Sequence, residues 1–301
     1  MTSLSESCEL SVIVASQDAV GSLGECLSAL VESCAGLDAE ILVVDASDDG
    51  SAEVARTFPA VRVNRLPAGT LVPALWGAGL REARGRVVAF TIAQCLVNPG
   101  WARSLLAGIA GGAVGVGGRL GVRPGTGATG RATFYLRYSA WLATPDGQAD
   151  EIPGDNAAYE HQALRSVRDS AGGPFWEVEA HARFRANGRA LVVHPGATAS
   201  FTDDTPLGTL ASRRFAHGRH SGAFRVQSGI RTRWQMVLGA PLVPFVLLVR
   251  VGRRVARAPG HVPGFVSSLG AFLVLATAWA AGEAIGGFTA GSKMREALRA
   301  A

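Results

Sequence analysis

Lysine is almost absent: Lys293 is the lone example, and arginine supplies nearly all the basic charge behind a formal net charge of +5 in 301 residues. Arginine is thus a habit of composition here, and a single arginine carries little functional weight. Cysteine is scarce too. Cys8, Cys26, Cys34 and Cys95 show no paired metal-ligand spacing, and no basic-plus-apolar export signal precedes the first strand. Reduced thiols and a cytoplasmic location are therefore expected for the bulk of the chain. The basic stretches lack interleaved aromatics and carry no nucleic-acid-binding signature, so nucleic acid is not an expected partner. With 48% hydrophobic residues there is ample material for a core, in one large domain or two small ones.

Much of what is present is organised around Ile41-Leu42-Val43-Val44-Asp45, an apolar run that ends in Asp48-Asp49-Gly50-Ser51. An uninterrupted apolar strand implies cover on both faces, as in a parallel sheet, whose strands bind ligands at their carboxyl ends. Asp45 comes directly off such an end. Asp48, Asp49 and Ser51 have the simpler reading of turning the chain and capping the next helix. Before this run come a strand at Leu10–Ala15 and an amphipathic helix carrying Leu23, Leu27, Leu30 and Val31. After it come a helix over 51–58, strand 61–63, helix 72–83 and strand 87–90. Strands alternating with helices predict a mostly parallel twisted α/β sheet flanked by helices. A helix is expected over 102–109, a Gly-rich strand over 113–120, and looser chain over 121–149. Leu120 stands where a dinucleotide loop needs its third glycine, so close backbone packing is the better reading of those glycines. A turn at 151–156 is expected to lead into a helix through Leu164, and a helix opening near Phe175 should stop at Asn187-Gly188, before a strand at 191–194.

The ordered series resembles the family 2 glycosyltransferases, inverting enzymes of the GT-A fold that use nucleotide sugars, over roughly Leu10 to Arg233. It is carried by Leu10–Ser16, by Val43-Val44-Asp45 with Asp48-Asp49-Gly50-Ser51, and by Gly79-Leu80-Arg81-Glu82-Ala83-Arg84-Gly85. Further on, Pro153-Gly154-Asp155-Asn156 and Trp176-Glu177-Val178-Glu179 extend it. The resemblance implies that Ser16 and Asp45 hold the nucleotide, that Gly154, Asp155 and Asn156 face the acceptor, and that Glu177 is the catalytic base. It also implies a nucleotide-sugar donor and a divalent metal, Mg or Mn. The chain departs from the pattern at three places. Ile92-Ala93-Gln94 replaces the metal-binding Asp-x-Asp, Trp76-Gly77 replaces Arg-Asn, and Trp176-Glu177 replaces Glu-Asp.

An inverting transfer needs a carboxylate to take the acceptor proton and positive charge to stabilise the departing diphosphate. Glu177 meets the first need, with Glu179 in reserve; a helix-terminal acid is its plain structural alternative. Without metal ligands, Arg213, Arg214, His217 and Arg219 are the cations available for the second, since guanidinium groups suit phosphate oxygens. Asn156 could instead cap the helix that follows it.

Two domains are expected: 1–233, a GT-A-like nucleotide-sugar-binding and catalytic domain, and 234–301, a C-terminal membrane-associated helical region. Within the latter, Met236–Val249 with its two prolines reads as interfacial, and Phe265–Gly282 as long enough for a span. The expected function is an inverting glycosyltransferase at the cytoplasmic face of the membrane, with membrane lipid as a partner and a lipid or lipid-linked acceptor. The alternative is a catalytically degenerate GT-A domain that binds a sugar nucleotide or a partner.

Overall fold

The computed structural model describes residues 8–167, 173–227 and 229–300. The chain forms two compact units, one of Met1–Arg123 with Thr144–Thr202 and one of Pro124–Ala143 with Asp203–Ala301. The division expected at residue 233 thus falls at Thr202, and the second unit also takes 124–143 out of the loosely patterned stretch. That segment holds a helix, Ala128–Tyr138, that packs against helices far along the chain.

In the first unit the strands and helices are β1 (Leu10–Ser16), α1 (Val20–Ser33), β2 (Ala39–Asp45), α2 (Ser51–Arg56), β3 (Val61–Arg65), α3 (Val72–Glu82), β4 (Val87–Ile92), β5 (Cys95–Val97), α4 (Trp101–Ala110), β6 (Gly115–Gly117) and β7 (Leu120–Val122). After α5 (Ala128–Tyr138), which belongs to the second unit, come β8 (Gly147–Ala149), β9 (Asn156–Glu160), α6 (His161–Val167), α7 (Glu177–Ala186), β10 (Leu191–Val193) and β11 (Ala199–Phe201).

One sheet runs β3-β2-β1-β4-β9-β6-β10-β8, and a small second sheet runs β5-β11-β7. The first four strands are mutually parallel. Every residue of β1 and β4 is buried, which explains why these strands read as continuous apolar runs without alternation. β9 is antiparallel to both β4 and β6. Its place corrects the helix expected from Asn156: Ala157, Ala158 and Tyr159 are fully buried in the sheet, opposite Gly115 and Gly117, and helix starts only at His161. Tertiary pairing overrides the helical preference of alanine there. The Gly-rich stretch likewise divides, β6 joining the large sheet and β7 the small one.

The second unit is helical: α5, α8 (Leu207–Gln227), α9 (Arg233–Gly239), α10 (Val243–Ala256), α11 (Val262–Val266) and α12 (Leu269–Ala300). A single 3-10 turn at Ala240–Leu242 joins α9 to α10, making one helical run of 24 residues, Arg233–Ala256. From sequence, Met236–Val249, with Pro241 and Pro244, reads as an interfacial segment. Both prolines sit in the first turn of a new helical piece, where no backbone N–H is needed. This run and the 22-residue stretch Leu269–Ala290 are each long and apolar enough to cross a membrane, by length and composition alone.

Candidate active site

Three parallel strands end level with one another. Register pairs Ser16 with Asp45 and Ala15 with Ile92, so the loops after β1, β2 and β4 share one edge. Ser16 is fully buried, and its hydroxyl oxygen has no hydrogen-bond partner. A buried hydroxyl is costly to leave unpaired, so this atom is suited to meet a ligand.

Asp45 sits where the sequence put it but with no exposed surface. Its Oδ1 accepts from the Ser47 hydroxyl at 2.6 Å and its Oδ2 from the Ser47 N–H at 3.3 Å. Arg65, the last residue of β3 and in register with Asp45, brings Nε to 3.8 Å of Oδ2 and donates to the Ser47 carbonyl at 2.7 Å. Nearly half of the Arg65 side chain is exposed, so it places a cation at the mouth of this strand-end edge. Sequence reasoning missed Arg65. The signal was the edge-strand ending Asn64-Arg65, whose partner only the sheet register reveals.

The loops are knitted by the polar cluster after β2. Asp18, at φ 43° in the left-handed region, donates its N–H to Ser47 Oγ at 2.7 Å. Asp49 accepts from the N–H of Val20, at the start of α1, and from both the N–H and the hydroxyl of Ser51. Burial pushes the Asp49 carboxyl up, but these bonds outweigh it and hold the group below the usual carboxylate range. Asp49 and Ser51 therefore act as scaffold, the plainer of the two readings.

Glu177 is the first residue of α7, with Trp176 as its extended N-cap. It is half-buried against the turn Pro153-Gly154-Asp155, and a Cβ on Gly154 would stand 3.0 Å from Glu177 Cγ. Glu177 and the turn that the resemblance assigns to the acceptor, 23 residues apart by number, are thus in contact, with Asp155 buried alongside. Glu179 points elsewhere and is exposed.

Asn156 does something else. Its Oδ1 accepts from Trp101 Nε1 at 2.6 Å, and its Nδ2 donates to the carbonyls of Arg119 and Ala197 at 3.1 and 3.0 Å. Fully buried and committed on both amide N–H groups, Asn156 is a strut of the fold and neither an acceptor contact nor a helix cap.

A buried chain fixes α7 behind Glu177. His181, one turn on, contacts the Tyr159 hydroxyl through Nε2 at 2.7 Å and Glu151 through Nδ1 at 2.6 Å. Burial raises the Glu151 carboxyl, while bonds from His181 and Arg185 bring it net below its ordinary value. The i, i+4 pair Glu177 and His181 was the available sequence signal for this anchor, and it went unused.

The two remaining departures from the family pattern fit each other. Trp76 packs against Phe90 and Phe175 and donates Nε1–H to the Thr91 carbonyl at 3.1 Å. Next to it, Gly77 lets the chain at Gly173-Pro174 pass directly over α3, and Phe175 N–H is tied to the Pro73 carbonyl at 2.7 Å. Phe175 then stacks on Phe90 at 4.5 Å. Trp76-Gly77 is the platform on which the approach to Glu177 rests.

Divalent ions that bind diphosphates take hard oxygen ligands. Ile92 and Ala93 are buried hydrocarbon, leaving Gln94 alone with a side-chain oxygen, and among the described residues no cluster of His, Cys, Asp or Glu could hold a metal ion. The residues present do not fit the metal site that the resemblance implies.

Arg213, Arg214, His217 and Arg219 lie on α8, in the second unit. Arg214 lays its guanidinium over the Trp279 ring at 5.2 Å, and its buried Nε has no hydrogen-bond partner. Burial, then Arg137, pull its pKa down to about 10. For His217, burial, then the guanidinium groups of Arg137, Arg214 and Arg213 around it, lower the pKa to about 4, so it is neutral at pH 7 and brings no charge to an anion. Arg219 is exposed.

The fold, a mostly parallel sheet flanked by helices, is of the GT-A type. Residues 11–171 match the sequence model of Glycosyl transferase family 2, and the chain belongs to that family. No curated protein matches it. Among solved structures, S. aureus TarS is similar at 15% identity and a TM-score of 0.48, over 72% of this chain and 39% of TarS. A mycobacterial protein is similar at 19% identity and 0.48, over 68% of this chain and 71% of its own. Mannosyltransferase PcManGT from Pyrobaculum calidifontis, solved with GDP-Man and Mn2+, is similar at 19% identity and 0.47, over 98% and 81%.

Proposed function

We propose that the protein transfers a sugar, with inversion, from a nucleoside diphosphate sugar to an acceptor hydroxyl. Glu177 takes the hydroxyl proton as the oxygen attacks the anomeric carbon. The bond from that carbon to the diphosphate oxygen breaks on the opposite face, and the electron pair leaves with the nucleoside diphosphate. The observation that supports this reading is the contact of Glu177 with the Gly154 turn: a half-buried carboxylate lies beside Gly154 and Asp155, the residues we assign to the acceptor. Ser16 and Asp45 are assigned to the nucleotide, supported by the unpaired Ser16 hydroxyl, and Arg65 joins them as a cation at the same edge. For the diphosphate charge, Arg213, Arg214 and Arg219 stay assigned on charge alone, and His217 is left to serve as a neutral donor. A lipid or lipid-linked acceptor at the cytoplasmic face of a membrane is proposed from the apolar helices of the second unit.

A second reading, a sugar-nucleotide or partner-binding domain without turnover, is motivated by Ile92-Ala93-Gln94 in place of metal ligands. Thermal shift against a panel of nucleoside diphosphate sugars, with and without Mn2+, followed by incubation with membrane extract, separates the two. Stabilisation by a donor with release of nucleoside diphosphate supports the enzyme. Stabilisation without release supports the binding domain.

A further inference from the structure

The 24-residue run Arg233–Ala256 has two unlike faces. Met236, Pro244, Val251 and Val255 are buried within the second unit. On the other side Trp234, Leu238, Leu242, Phe245 and Val249 recur every three or four residues, and each is more than half exposed. The stripe continues sideways to Phe288 of α12, whose ring lies 6.5 Å from that of Trp234. It is bracketed by Arg231 and Arg233 at one end and Arg250, Arg253 and Arg257 at the other. No Asp or Glu occurs anywhere between Asp204 and Glu283.

α12 passes the length test for a span, but its surroundings oppose one. α8 runs beside it in the same direction, backbone on backbone: side chains at Gly218 and Gly222 would run into the carbonyls of Trp279 and Glu283, and side chains at Gly282 and Gly286 into those of Phe215 and Arg219. Exposed Arg219, His220 and Arg225 ride at the level of residues 279–290, and Arg225 pairs with the buried Glu283 at 3.3 Å. Phe272, Leu275, Ala276 and Ala280 are buried, so α12 is a core helix of its unit. A bilayer placed around it would draw the α8 arginines into hydrocarbon, where charge is strongly disfavoured.

We infer that the second unit lies on an anionic lipid surface without crossing it, docked by the exposed face of Arg233–Ala256. Apolar side chains on one face with arginines at both ends are what the boundary between headgroups and acyl chains accepts. A second copy of the chain would instead bring arginine against arginine with no carboxylate to offset it. The inference rests on the membrane part of the proposed function and is independent of turnover.

The test is flotation of the full chain with vesicles of phosphatidylcholine alone and of equal parts phosphatidylcholine and phosphatidylglycerol, with alkaline carbonate washing of membranes from expressing cells. Expected are flotation with the anionic vesicles only, release by salt, and extraction by carbonate. The double variant Leu238→Glu/Phe245→Glu should lower the partition coefficient at least about tenfold, and Arg250→Glu/Arg253→Glu should remove the preference for anionic lipid. Both change exposed positions, and an unchanged melting transition and nucleotide-sugar affinity would show each variant folded. Retention in the carbonate pellet would establish a span and overturn the inference. Equal flotation of the double variant, or a dimer in lipid-free solution that Leu238→Glu dissolves, would overturn it as well. Failure here with donor turnover intact would leave the catalytic reading standing.

Discussion

Gly77 lies beneath the backbone of Gly173: a Cβ at position 77 would stand 2.5 Å from the Gly173 carbonyl oxygen. That contact ties α3 to the segment that delivers Glu177, and makes residue 77 a determinant of a side chain one hundred positions away. Gly77→Ala should therefore lower turnover about tenfold to hundredfold through misplacement of α7, with little change in donor affinity. Initial rates beside nucleotide titration check this. Unchanged turnover would show that the segment has slack.

Glu177→Gln preserves shape and removes the proton acceptor, so turnover should fall about 10²- to 10⁴-fold at nearly constant donor affinity. Glu179→Gln is the control, because Glu179 is exposed. Loss of activity in the control alone would place the base two residues further on, at Glu179.

Activity should persist in excess chelator, since Ile92 and Ala93 offer no ligand and Gln94 alone is insufficient. The measurement is transfer rate with EDTA and after Mn2+ addition. Complete loss that Mn2+ restores would mean that acids elsewhere assemble a site with the substrate.

Ser16→Ala and Asp45→Ala should behave differently. Ser16 makes no hydrogen bond of its own side chain, so its loss should leave the melting temperature nearly unchanged while weakening nucleotide binding. Asp45→Ala strips Ser47 of its acceptor and leaves Arg65 without its carboxylate, costing about 1–3 kcal/mol of stability in addition to affinity. Calorimetric titration and thermal melts separate the two effects.

His217 makes stability depend on pH. Its pKa is lowered on folding from 6.5 to about 4, so between those values the unfolded chain binds the proton and the folded one does not. Stability contributed by the neutral ring is full above pH 6.5 and falls as the pH drops toward 4. His217→Gln should flatten the melting temperature over this window. An equally steep wild-type and variant profile would locate the dependence in another group.

The sequence by itself determined the parallel half of the fold, because strands buried on both faces must read as apolar runs and their polar endings mark the ligand edge. The positions of Asp45, Ser16 and Glu177 were legible for that reason: each is a polar residue at the end of a regular element. Sequence could not place β9, since Ala157, Ala158 and Tyr159 suit a helix as well as a strand until β4 and β6 offer pairing on both sides. It could not separate Asn156 from Asp155, because only the packed structure brings the Trp101 indole and the Arg119 and Ala197 carbonyls to the amide. Arg65 stayed hidden because sheet register is a relation between distant strands. The tail depended most on tertiary structure: length and hydropathy describe one helix at a time, whereas the arginines packed beside α12 sit on α8, about sixty residues earlier in the chain.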